Sequence, residues 1–146
     1  MEILKEECRP RVIYGFDPGM PVGDWYLDER GIETIYVAAA AWTYNGAIRF
    51  QDDTVASCVV IGDEPVLRQE WRLKPATPRV VKCFDLAQWL NLRGKQVTLK
   101  MDVEGSEYHL LPHLIATRAI EWVELLLIEW HGEPIEVPCR VEDWSH

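Results

Sequence analysis

The chain has 146 residues, of which 48% are hydrophobic, and a formal net charge of -9 at pH 7. This length predicts one domain over residues 1–146, with enough apolar side chains to bury a core. The negative charge argues against a nucleic-acid partner and against an anionic membrane surface, and no apolar run approaches the roughly 20 residues that span a bilayer.

The cysteines point to a reducing compartment. Cys8, Cys58, Cys83 and Cys139 are widely spaced, and no two of them form a Cys-x-x-Cys pair. Neither a zinc site nor a redox motif is therefore predicted. The first seven residues mix charges and lack the apolar core of a signal peptide. We expect reduced thiols in a cytoplasmic protein.

The first third of the chain predicts mainly strands. Residues 11–16 form an apolar run that ends at the turn signal Asp17-Pro18-Gly19, and residues 34–41 form a second strand. Asn45-Gly46 is typical of a tight hairpin turn, which leads into a strand over residues 47–50. Before these strands, residues 2–8 are typical of a short helix that Pro10 stops.

The second half alternates strands and helices. Residues 79–83 predict a strand, and Asp85 is a good N-cap for a helix over residues 86–92 that ends at Gly94. A strand over residues 97–99, an apolar helix-like segment over residues 108–120 and a nearly continuous apolar strand over residues 123–129 follow. Such apolar strands are typical of parallel sheets covered on both faces, so the second half favours an α/β architecture. Residues 132–146 form a polar tail with weak structure.

Acidic side chains follow the strand at residues 97–99. Asp102, Glu104 and Glu107 lie between that strand and the next helix. Because the carboxyl ends of parallel strands open into a ligand crevice, we expect these acids to cluster there. Acids near a helix N-terminus also stabilise the helix dipole. That alternative explains Glu107 well, Glu104 partly and Asp102 poorly.

Two histidines on the predicted helix have the spacing of metal ligands. His109 and His113 are four residues apart, but Pro112 lies between them and no third ligand is near in sequence. We therefore predict no metal site.

Three segments together resemble a known family. They are Phe16-Asp17-Pro18, the stretch from Leu99 to Glu107 and the stretch from Leu126 to His131. In this order they resemble the FkbM family of S-adenosylmethionine-dependent methyltransferases, over residues 12–131. The resemblance implies a Rossmann-like three-layer αβα sandwich with a mostly parallel, reduced sheet. It also implies O-methyl transfer to a hydroxyl of a small molecule or a sugar.

The same resemblance assigns roles to Asp17, Asp102 and Glu104. His131 gains a role from the predicted sheet, because it ends the strand beside the Asp102 strand and could reach the same crevice. Asp17 would accept hydrogen bonds from the ribose hydroxyls of S-adenosylmethionine, and Asp102 would lie between the cofactor and the acceptor. Asp102, Glu104 and His131 would be the catalytic residues, with His131 as a general base on the hydroxyl. Two simpler interpretations stay open, because Asp17 is also a good turn residue and His131 is also an ordinary residue at a strand end.

The chain departs from the family at its start. It lacks the first strand and the glycine-rich loop that hold the methionine end of the cofactor in Rossmann-like methyltransferases. In the family that strand lies between the strands that carry Asp17 and Asp102, and unpaired buried backbone is costly. Either these two strands pair directly, or another chain inserts a strand in a homodimer, or the natural protein is longer. The alternative function is a non-catalytic remnant of the fold that acts as an oligomeric or interaction module without cofactor.

Overall fold

Strands are the commonest elements of the fold. The computed structural model describes residues 12–19, 25–27, 31–52, 57–66 and 77–131. These residues form ten strands, two α-helices and one 3-10 helix. The strands are β1 (Val12–Phe16), β2 (Trp25–Leu27), β3 (Glu33–Val37), β4 (Ala40–Trp42), β5 (Gly46–Gln51), β6 (Cys58–Ile61), β7 (Glu64–Pro65), β8 (Arg79–Asp85), β9 (Val97–Met101) and β10 (Val123–Ile128). The helices are α1 (Leu86–Arg93) and α2 (Glu107–Ala116), and the 3-10 helix is Ala119–Trp122.

The described strands form three separate sheets. Their strand orders are β1-β3-β2, β10-β9 and β4-β8-β5-β6-β7. The pairs β1–β3, β4–β8 and β9–β10 are parallel, and the other four pairs are antiparallel. The sheet structure is therefore mixed rather than mostly parallel.

The predicted three-layer αβα sandwich is wrong for this chain. The two described α-helices, of eight and ten residues, cannot cover both faces of the three described sheets. The strand predicted over residues 34–41 is in fact two strands, β3 and β4, which belong to different sheets. Between β4 and α1, the described strands β5 to β8 pair antiparallel to one another instead of alternating with helices. The described residues thus form a strand-rich mixed α/β fold.

The hairpin predicted at Asn45-Gly46 is also wrong. The strand that follows this turn exists as β5, but β4 and β5 do not pair with each other. Both pair with β8, which lies between them, parallel to β4 and antiparallel to β5. The residues of the turn favour a hairpin between β4 and β5. In the structure β5 instead pairs with β8, more than thirty residues later in the chain.

Helix α1 begins and ends as its sequence predicts. The carboxylate of Asp85 accepts hydrogen bonds from the backbone N–H groups of Ala87 and Gln88, which satisfies two of the free donors at the helix start. Gly94 adopts the left-handed conformation, with φ 57°, and its N–H bonds to the carbonyl of Leu90.

Helix α1 contacts two of the sheets. Its buried residues Leu86, Ala87 and Leu90 belong to one apolar cluster with Met101 of β9 and with the buried face of α2. On the other side, the Trp89 ring meets the rings of Tyr14 and Phe16 on β1, with centroids 5.3 Å apart in both cases. The same helix therefore supports the β1–β3 pair and the β9–β10 pair.

The strands β1 and β9 do not pair with each other. Among the described residues β1 pairs with β3 alone and β9 pairs with β10 alone. The alternative in which the Asp17 strand and the Asp102 strand pair directly is thus excluded for the described part of the chain. The parallel pairing of β9 and β10 is as predicted, but β10 is not covered on both faces, because Leu125 is 42% exposed.

None of the described helices is both long enough and apolar enough to cross a membrane.

The apolar cluster around α1 and α2 predicts a stability difference between two leucines. Leu110 of α2 is fully buried, whereas Leu92 of α1 is 80% exposed. We expect Leu110→Ala to lower the free energy of unfolding by about 2–5 kcal/mol, since it removes buried methyl groups and leaves a cavity. The matched control Leu92→Ala should change it by less than about 0.5 kcal/mol. Urea unfolding followed by tryptophan fluorescence measures both, and equal effects would contradict this core.

Candidate functional site

A tight loop connects the end of β9 to α2. Glu104 adopts the left-handed conformation with φ 49°, and Gly105 follows with φ 94°. Few residues other than glycine adopt this conformation, so the Glu104 backbone is held there by its surroundings. The N–H of Ser106 bonds to the carbonyl of Val103, which closes the turn. The loop turns over the four residues from Val103 to Ser106, and carboxylate oxygens of Asp102 and Glu104 lie within 4.8 Å of each other.

Glu107 organises this loop from the first turn of α2. Its side chain is completely buried. One carboxylate oxygen accepts the N–H of Gly105 at 2.9 Å, and the other accepts the N–H of Val103 at 3.2 Å. The residue before the helix, Ser106, makes no side-chain cap. Glu107 thus satisfies backbone donors that the loop would otherwise bury unpaired, and its charge lies at the favourable end of the helix dipole.

The same carboxylate holds His131. Nδ1 of His131 lies 2.8 Å from Oε1 of Glu107. His131 follows β10, and the backbone N–H of Glu129 bonds to the carbonyl of Met101, so the segment after β10 stays beside the end of β9. A carboxylate accepts only, so Nδ1 carries the hydrogen of this bond. The other ring nitrogen, Nε2, then faces away from Glu107.

Nε2 of His131 faces the two acids that the sequence singled out. It lies 3.4 Å from Oε2 of Glu104 and 3.7 Å from Oδ1 of Asp102. The second oxygen of Asp102 contacts Nζ of Lys100 at 3.1 Å, which leaves Oδ1 on the histidine side. The structure therefore brings together Asp102, Glu104 and His131, which we call the acid–histidine cluster. Glu129 reaches its edge, with Oε1 3.9 Å from Nε2.

Burial and charge act against each other in this cluster. Burial alone lowers the pKa of His131, but the hydrogen bond to Glu107 and the charges of Glu104, Glu107 and Asp102 raise it, and the net pKa is above its ordinary value. Burial raises the pKa of Glu104; the charge of His131 opposes this, and the charges of Asp102, Glu107 and Glu129 add to it. Both groups therefore hold protons more tightly in the folded chain than in the unfolded chain.

Asp17 lies outside the acid–histidine cluster, at the end of β1. It is exposed, and its Oδ1 accepts the N–H of Gly19 at 2.7 Å. This is the turn that the simpler interpretation of Asp17 predicts. Its backbone N–H bonds to the carbonyl of Val37 on the neighbouring strand, and its charge raises the pKa of Arg79 after the larger effect of Asp52. The Oδ2 atom has no hydrogen-bond partner among the described residues.

The two helix histidines take separate roles. Nε2 of His113 lies 2.8 Å from Oδ1 of Asp85, the N-cap of α1, so His113 joins the two helices. The ring of His109 packs against Trp42, with centroids 5.3 Å apart.

The sequence did not predict the contacts that Glu107 and Lys100 make in this site. The sequence explained Glu107 as a helix-end acid, and Lys100 carried no prediction. A signal for Glu107 existed, since a glutamate in the first helical turn after a glycine can reach back to the preceding loop. Its bond to His131 joins residues 24 apart, which no local pattern shows.

Comparisons with known proteins give one partial similarity. No family model and no solved structure matches the chain. A nonribosomal peptide synthetase, malG of Malbranchea aurantiaca, is 30% identical over 91 residues, which is 60% of this chain. The match spans 4% of the length of that synthetase.

The Glu107–His131 bond predicts how His131 titrates. In chelator-treated protein we expect an NMR titration to give His131 a pKa above about 6.5, its ordinary value. Because the folded pKa is raised, the stability that His131 contributes is complete below the unfolded pKa and is lost as pH rises through the folded pKa. Glu107→Gln should lower the pKa of His131, since it removes the charged acceptor, whereas the exposed control Glu121→Gln should not. An unchanged pKa in Glu107→Gln would contradict this account.

Proposed function

We propose that this protein is a methyltransferase-like enzyme that transfers a methyl group from S-adenosylmethionine to a hydroxyl of a small molecule or a sugar. The observation that carries the proposal is the acid–histidine cluster, with its histidine oriented by a buried carboxylate at the ends of β9 and β10. These residues lie in the segments that resemble the FkbM family. The similarity to the peptide synthetase covers 4% of that protein and does not support this proposal.

The cluster's part in the reaction is to orient the acceptor and to take its proton. A hydroxyl that enters between Asp102 and Glu104 can donate its hydrogen bond to either carboxylate or to Nε2 of His131. Proton loss leaves the oxygen as the nucleophile. The fixed loop contributes by holding the acceptor in one orientation, which is the main protein contribution to such a displacement.

The cofactor would contact a different part of the chain. The chemistry of Asp17 fits a ribose diol, because its carboxylate is exposed and only one oxygen is taken by Gly19. When bound, S-adenosylmethionine supplies the methyl group, which leaves its sulfonium sulfur for the acceptor oxygen and yields S-adenosylhomocysteine. As part of the same proposal the protein acts in the cytoplasm, which the free thiol of Cys83 supports.

A second candidate function is favoured by the separation of β1 from β9. Each of these strands has one neighbour among the described residues, although both sheets pack against α1. An interaction module without cofactor, which pairs with a second copy through these strands, would use this feature directly.

One binding experiment separates the two candidates. We expect calorimetry to show that S-adenosylhomocysteine binds the wild-type chain, and that Asp17→Asn weakens binding at least about tenfold, since a hydrogen bond to a charged group contributes about 1.5–3 kcal/mol. Asparagine keeps the oxygen that accepts the Gly19 N–H, so the turn is retained. The matched control is Asp63→Asn, whose side chain is 99% exposed.

The absence of heat at millimolar ligand would overturn the enzyme proposal. Sedimentation of the same sample then tests the second candidate, which requires a dimer. A dimer that binds the ligand would support methyl transfer by an assembly in which a second copy completes the sheet.

A further inference from the structure

The acid–histidine cluster has the composition of a metal site. One imidazole nitrogen and two carboxylate oxygens, from His131, Glu104 and Asp102, all lie within 4.8 Å of one another. Imidazole and carboxylate together are typical ligands of divalent first-row transition metals, whereas sites for magnesium and calcium use oxygen alone.

The distances between these atoms fit a shared ion. Metal–ligand bonds of about 2.0–2.2 Å at tetrahedral or octahedral angles place neighbouring ligand atoms about 2.8–3.6 Å apart. Nε2 of His131 lies 3.4 Å from Glu104 and 3.7 Å from Asp102. These two distances lie within about 0.1 Å of that range, and the oxygens of Asp102 and Glu104 lie within 4.8 Å of each other.

The histidine is already oriented as a ligand. Nδ1–H of His131 donates to the buried Glu107, so in the neutral ring the lone pair of Nε2 points towards two carboxylates. Three electron-rich atoms that face one another repel unless a proton or a metal ion lies between them, so a metal ion can take the place of the proton on Nε2. A carboxylate that holds the far nitrogen of a metal-bound histidine is the usual outer partner in such sites.

The surrounding charge also favours a cation. Besides Asp102 and Glu104, the carboxylates of Glu107 and Glu129 lie within 4 Å of the His131 ring nitrogens. Among the described residues, Lys100 is the lysine that forms an ion pair with this group, through Asp102, so one lysine faces four carboxylates.

We propose that Asp102, Glu104 and His131 bind one divalent transition-metal ion, with Glu107 as the positioning residue for His131. This revises the prediction of no metal site, which considered His109 and His113. The ion leaves coordination positions open for water or for an acceptor hydroxyl, whose pKa it lowers, so that proton removal needs no strong base. This last role rests on the proposed methyl transfer, whereas the binding of the ion does not.

Titration of the full chain with Mn²⁺, followed by electron paramagnetic resonance, tests the proposal. We expect one ion per chain below millimolar concentration. Glu104→Gln and His131→Gln should each weaken binding by about 100-fold or more, and Glu107→Gln by about 10–100-fold, the range for outer partners of a ligand. The matched controls Glu121→Gln and His109→Gln should leave the affinity within about twofold of wild type, because neither side chain touches the cluster.

A spectroscopic measurement on the wild-type protein tests the metal site without relying on variants that could fail to fold. Pulsed resonance of the bound Mn²⁺ should show a directly coordinated imidazole nitrogen. No binding at millimolar Mn²⁺, binding without a nitrogen signal, or binding that Glu104→Gln leaves unchanged would each overturn the proposal. The ion is bound without S-adenosylmethionine, so failure of cofactor binding would not affect this result.

Discussion

The buried carboxylate of Glu107 joins the loop after β9 and the start of α2 to His131, which lies 24 residues further along the chain. It accepts two backbone N–H groups of the loop after β9, it lies in the first turn of α2, and it holds the His131 ring after β10. A buried carboxylate is costly unless its oxygens are hydrogen-bonded, so these bonds are mutually dependent. The geometry of the acid–histidine cluster follows from them, because both the loop that carries Glu104 and the ring of His131 are fixed on one group.

Helix α1 provides the wider frame for this site. Its buried side packs with Met101 and with α2, which sets the position of the end of β9. Its Trp89 packs on the aromatic side chains of β1, and Arg93 lies over the Tyr14 ring at 4.3 Å. One short helix with well-formed ends therefore supports the β1–β3 pair and the β9–β10 pair, although no described strand joins them. The proposed cofactor residue Asp17 precedes α1 in the chain, and the acid–histidine cluster follows it. The strands next to these two sites belong to different sheets.

The features that the sequence predicted correctly depend either on contacts within a few residues or on the pairing of strands that are consecutive in the chain. The ends of α1 depend on Asp85 and Gly94, which act on their own helix turn. The meeting of Asp102, Glu104 and His131 follows from the parallel pairing of two consecutive strands. The errors concern partners distant in sequence: β8 separates β4 from β5, and the run over residues 34–41 divides between two sheets. The turn propensity of Asn45-Gly46 does not show that β8, more than thirty residues later in the chain, lies between β4 and β5.

The link between Glu107 and His131 is the central claim, and a double-mutant cycle measures it most directly. Glu107→Gln, His131→Gln and the double variant would be unfolded in urea with chelator at pH 6, which lies below the raised pKa of His131. The account predicts a coupling free energy of about 1–3 kcal/mol between the two side chains. Destabilisations that simply add, within about 0.3 kcal/mol, would show that the two residues act independently and would contradict the account.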